Sequence, residues 1–108
     1  MAFNFDQIFK ESLSVGIAAA KPGGNEAQDW IKKSAKANED ALRSIIQEFS
    51  NRNISKETAQ YLLGQNERAL RAEAAALKVI AHATAQAAVN GFFEALRTGI
   101  LAALKVAL

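Results

Sequence analysis

Apolar residues along this chain recur at three- and four-residue spacing rather than in alternation, a periodicity that predicts helices from end to end. Phe5, Ile8, Phe9, Leu13 and Ile17 share one face of a first helix over about residues 4–20, and Lys10, Glu11 and Ser14 lie off it. Asn4 is placed to cap this helix, with Gln7 reaching back to it and Phe3 stapled onto Ile8. Lys21-Pro22-Gly23-Gly24 then reads as a loop over 21–25, because proline cannot continue a helix and paired glycines release the backbone. Asn25 with Gln28 caps a second helix over about 26–50. Its stripe is Ala27, Trp30, Ile31, Ala35, Asn38, Leu42, Ile45 and Phe49. Lys32, Lys33, Lys36, Asp40 and Arg43 fall mostly outside that stripe, as a solvated face.

Ser50-Asn51-Arg52-Asn53 is a short polar connector, and Ser55 is a good N-cap for a third helix over about 55–90, with Glu57 in its first turn. Leu63, Leu70, Leu77 and Thr84 lie seven apart, each followed three residues later by Asn66, Glu73, Ile80 and Ala87, which reads as an impure coiled-coil seam. A hairpin folded about Arg52 would set Asn38 opposite Asn66, so an amide pair between them is expected to fix the register. Asn90-Gly91 marks an end or a kink, or else the helix runs straight through it, since glycine within a helix costs only about 1 kcal/mol relative to alanine. A last helix over about 92–107 gathers Phe92, Phe93, Leu96, Ile100, Ala103, Leu104 and Ala107 on one face, with Glu94, Arg97, Thr98 and Lys105 on the other.

These elements predict one all-α domain over residues 1–108, of three to four helices. Its core is an antiparallel helical hairpin, with the N- and C-terminal helices packed on it or exchanged between subunits. Composition qualifies the picture. Half of the 108 residues are apolar, but 23 of them are alanine, so the core of large side chains is small. The small residues of Ala81–Val89 suit close packing against Gly16-Ile17-Ala18-Ala19-Ala20 of the first helix.

Charge and chemistry narrow the function classes. Thirteen Lys and Arg interleave with 11 Asp and Glu for a net charge of +2, without a basic block, and residues 79–93 carry no charge. Nucleic acid is therefore not an expected partner. With no cysteine and one histidine, His82, the chain offers no disulfide, thiolate or His-pair metal site. Around His82 stand only Lys78, Thr84 and Gln86, neither a nucleophile's base pair nor an orienting carboxylate. Glu39-Asp40 and Glu67/Glu73 lack the Glu-x-x-His motifs of a di-metal bundle, and Gly23-Gly24 lacks the Lys-Ser/Thr of a phosphate loop. No catalytic residue, cofactor or metal is expected.

The expectation is a non-catalytic structural or interaction protein that forms homo-oligomers through Phe92, Phe93, Leu96, Ile100 and Leu104 and through Ala81–Val89, and that presents a polar exterior to a protein partner. Its rival is a membrane-active helical protein of pore-forming, lysis or toxin-like character, acting through the amphipathic C-terminal helix. The N-terminal stretch has no basic, apolar and small-residue succession of a secretory signal, and the last helix is short of a transmembrane span; a cytoplasmic protein, with association to a membrane surface left open, is expected.

Overall fold

A computed structural model describes residues 4–77 and 79–108, with the side chains of residues 79 and 80 left aside. Its helices are α1 Phe5–Ala20, a 3-10 turn Lys21–Gly23, α2 Gly24–Ala37, α3 Glu39–Ser50, α4 Lys56–Ala75 and α5 Val79–Leu104, with no strand among the described residues. Since α2 and α3 meet at one bent residue, the five segments make four packed arms, the all-α fold of three to four helices that the periodicity predicts. The expected Phe3 staple and the seam position Ile80 fall outside the described residues and side chains.

Three boundaries differ from the expected ones, each for a local reason. The helix expected over 26–50 bends at Asn38, whose side-chain amide donates to the Ser34 carbonyl at 2.8 Å while its own N–H bonds Ala35 at 3.1 Å. A side chain that competes with the backbone in this way ends one helix, and Glu39 and Asp40 supply the acidic first turn of the next. The helix expected over 55–90 instead closes at Ala76, where the N–H groups of Ala76 and Leu77 bond three residues back, to Glu73 and Ala74. Alanine and leucine are strong helix formers, so packing overrides propensity here: the turn lets α5 double back across the molecule. Asn90-Gly91, conversely, breaks nothing, and α5 runs through it for 26 residues.

Caps follow the sequence unevenly. Asn4 accepts from the Gln7 N–H at 3.1 Å and Ser55 from the Thr58 N–H at 3.1 Å, as expected. The Gln7 side chain does not return to Asn4; it donates to Glu11 at 2.7 Å. Nor does Asn25 cap α2, because the 3-10 turn runs directly into Gly24 and leaves Gly23 as the flanking residue, without a side-chain cap. At the α3–α4 connector, Arg52 takes a left-handed φ of 62°, with its N–H on Phe49 and that of Asn53 on Glu48. This six-to-one and five-to-two pair of bonds closes α3 and turns the chain into α4 about the pivot that the sequence suggests.

α5 is the axis of the molecule. α1 lies antiparallel along it, as shown by Ile8 against Gly99, Val15 against Gly91, Gly16 against Ala88 and Phe92, and Gly23 against Thr84. The expected contact between the two small-residue surfaces is thus present. α4 lies antiparallel on another side of α5, α2 packs on α1 and α5, and α3 packs on α4. Only the α3–α4 half of the expected founding hairpin survives, since the chain reverses at Ala76. The core joins Phe5, Phe9, Ile31, Leu42, Ile46, Leu63, Leu70 and the inward face of α5.

Candidate interaction surface

α5 is nearly free of charge, so its few polar residues and its small residues decide what each of its sides can do. The inward side carries Val89, Phe92, Phe93, Leu96 and Ile100, all fully buried. Phe92 stands edge-on to Phe9 at 5.6 Å between centroids and to Phe93 at 5.2 Å, the tilted geometry that aromatic quadrupoles favour. Each such side chain contributes about 1.5–3 kcal/mol by leaving water. Four of the five residues expected to form a subunit interface are therefore core residues of the single chain, and the fifth, Leu104, is half-buried against the same core. The reason is geometric. The reversal at Ala76 brings this face onto α1, whose Phe5, Ile8 and Phe9 cover it.

A second side is polar and belongs to α4. Glu67, with only 13% of its side chain exposed, pairs with Arg71 one turn along α4 at 2.8 Å and with Arg97 of α5 at 2.8 Å. Arg71 donates twice to the Asn90 carbonyl oxygen, from Nη2 at 2.6 Å and Nε at 3.1 Å. Gln86 donates to the Arg71 backbone carbonyl at 2.9 Å, and the Arg97 guanidinium lies over the Phe93 ring. Gln86, Asn90 and Arg97 thus spend their hydrogen-bonding groups on α4. Sequence reasoning missed this cluster, although Glu67 and Arg71 at i,i+4 and a lone arginine in an apolar helix were its signals.

The third side faces solvent and mixes apolar with polar residues, Asn90, Glu94 and Thr98 being exposed on it. Ala83, Ala87, Leu101 and Ala102 are exposed there, Leu101 at 45%. Between this side and α1 runs a surface trough of about 500 Å³ with Val15, Gly91, Ala95, Gly99 and Ala102 along its floor and walls. Glycine is required at its foot: a Cβ on Gly99 would stand 2.7 Å from Ile8 Cγ2. Close approach of α1 and α5 leaves the trough shallow-floored and lined by small side chains.

The expected register pair does not form. Asn38 bonds Ser34, and Asn66 donates to the Leu62 carbonyl at 3.0 Å, so each amide serves its own helix. The four-residue back-bond outcompetes a cross-helix pair because it needs no precise alignment of two helices. Leu63 and Leu70 of the expected seam are buried, whereas Glu73, in the last turn of α4, and Ala87, beyond the reversal of the chain, are exposed. Elsewhere Arg43 binds Asp6 at 2.7 Å, Asp40 at 2.8 Å and Glu39 at 3.0 Å and lies over Phe5, tying the start of α1 to α3. Its hydrogen bond to Asp6, aided by the charges of Asp6, Glu39 and Asp40, holds its guanidinium above the usual range. His82 is half-buried near the start of α5 and makes no side-chain hydrogen bond with a described residue.

Ala81–Leu104 is long and apolar enough, by length and composition, to cross a membrane, and the core helix of a globular fold meets the same test. The last helix expected over about 92–107, interrupted by Glu94 and Arg97, is short of such a span, and α5 is longer because it continues through Asn90-Gly91. No protein-family model, curated protein or solved structure matches this chain.

Proposed function

We propose that this chain is a non-catalytic helical interaction protein that self-associates through the solvent side of α5. The observation that supports this reading is Leu101, a large apolar side chain left 45% exposed on the solvent side of that helix with Ala102 beside it, among the exposed Asn90, Glu94 and Thr98. Self-association through Phe92, Phe93, Leu96, Ile100 and Leu104 would require the core to open, so the interface is assigned to the outer ridge instead. Light-scattering mass over a range of concentrations tests it. A discrete multiple of 11.6 kDa that falls to a single chain in Leu101→Asp is expected, and one chain's mass at every concentration overturns the assignment.

A second reading has its own support in the uninterrupted helix Ala81–Leu104. Here the chain is membrane-active, and α5 leaves its sheath of α1 and α4 to enter a bilayer. Flotation with anionic liposomes distinguishes the two: recovery with lipid favours the membrane reading, and an oligomer that ignores lipid favours the first.

A further inference from the structure

At the pole of the molecule where α3 and α5 both end lies a hollow of about 370 Å³. Phe49 and Ser50 of the last turn of α3, Arg52 of the connector, Leu104 at the end of α5 and Val106 beyond it form its walls. Its volume stands at the lower end of the roughly 300–1,000 Å³ of small-molecule sites, which are likewise apolar with a few polar groups. Phe49, Leu104 and Val106 are half-buried, so each keeps apolar surface that an occupant can cover. Backbone and charge single out the same place. Arg52 and Lys105 are the non-glycine residues of positive φ among those described, at 62° and 61°. Each closes a helix, the Arg52 N–H on the Phe49 carbonyl at 3.0 Å and the Lys105 N–H on that of Leu101 at 2.8 Å. Glycine takes this left-handed backbone freely and a residue with a side chain takes it at a cost, so closing the two helices does not by itself account for a long cation at both positions. Arg52 and Lys105 are exposed, neither makes an ion pair with a described residue, and no carboxylate side chain lines the hollow. The helix C-termini behind them carry about half a negative charge each, which two full positive charges outweigh.

We propose that this hollow binds a short free fatty acid as its carboxylate, the acyl chain against Phe49, Leu104 and Val106 and the head group on Arg52, with Lys105 adding positive potential at the rim. This goes beyond the reading of the chain as a self-associating protein, because it names a small-molecule ligand and a surface apart from the outer ridge. Burial of the acyl chain supplies most of the affinity, and it is not selective between head groups. Selection comes from the two cations, which favour an anionic head group and oppose a cationic one.

The test is an NMR titration of the isotopically labelled full chain with octanoate, beside octyltrimethylammonium, each kept below its micelle-forming concentration. Octanoate is expected to shift the amides of residues 49–53 and 104–106 saturably, to bind about tenfold or more tightly than octyltrimethylammonium, and to weaken as salt rises. Arg52→Gly separates binding from folding. Glycine suits the left-handed backbone, so the melting temperature should hold or rise, while octanoate binding weakens about fivefold, as expected of one exposed ion pair. Arg52→Lys, which keeps the charge, should bind within about twofold of the unaltered chain. Val106→Trp, which fills the hollow, should abolish the shifts with the helical circular dichroism unchanged. Equal binding of the two amphiphiles, shifts that are absent or spread over the whole chain, or octanoate binding that Arg52→Gly leaves unchanged overturns the proposal. So does a response seen only with vesicles of anionic lipid, because the acyl chain then belongs to a bilayer. Light-scattering mass on the same samples reports self-association separately, so the failure of either reading leaves the other standing.

Discussion

The two long contacts that α5 makes within the chain are opposites. Against α1 it is dry: Gly16, Gly91 and Gly99 let the backbones approach, Phe92 meets Phe9, and among the described residues no side-chain hydrogen bond or ion pair joins the two helices. Against α4 it is wet at the margin, Gln86, Asn90 and Arg97 of α5 joining Glu67 and Arg71 of α4 through four hydrogen bonds of 3.1 Å or less. The difference teaches which contact holds the fold and which orients it. Dispersion and burial in the first contact are non-directional and depend on steric fit, whereas the ion pairs of the second are directional and, being half-exposed, weak.

Ranked by size, three substitutions test this division. Phe92→Ala should be the most damaging, at about 3–5 kcal/mol, since it empties the centre of the dry contact; chemical denaturation would measure it, and a loss below about 1 kcal/mol would show that α1 is not what holds α5. Gly99→Leu should cost about 1–3 kcal/mol by forcing Ile8 outward, with the melting temperature as the readout and a neutral result meaning that α1 is free to move away. Smallest is the polar contact. A double-mutant cycle of Glu67→Ala and Arg97→Ala should give a coupling of about 1 kcal/mol, and a coupling above that of the dry contact would reverse the ranking.

The same division explains what was legible in the sequence. Caps at Asn4 and Ser55, the pivot at Arg52 and the apolar face of Phe92–Leu104 were readable because each depends on local spacing. The destination of that face was not. Phe92, Leu96 and Ile100 have the same periodicity whether they meet α1, a second chain or a membrane, and the choice was made by a turn at Ala76-Leu77 that carries no glycine or proline to announce it. Asn90-Gly91 was ambiguous for the complementary reason: one glycine costs a helix only about 1 kcal/mol, so its spacing fits a continuous helix as well as a broken one, and α5 runs through. The Asn38–Asn66 pair failed because the expected register ignored the carbonyls within reach on each helix.

Because α1 finds its main partner in α5, about 70–90 residues later in the chain, synthesis must proceed a long way before that face of the first helix is covered. At ~5–20 residues per second, Phe5, Ile8 and Phe9 wait about 5–20 seconds for the side chains that bury them. During that interval α1 has only its neighbour α2 to pack against, and its face toward α5 stays open to water. α5 is thus the helix whose arrival buries the face of α1.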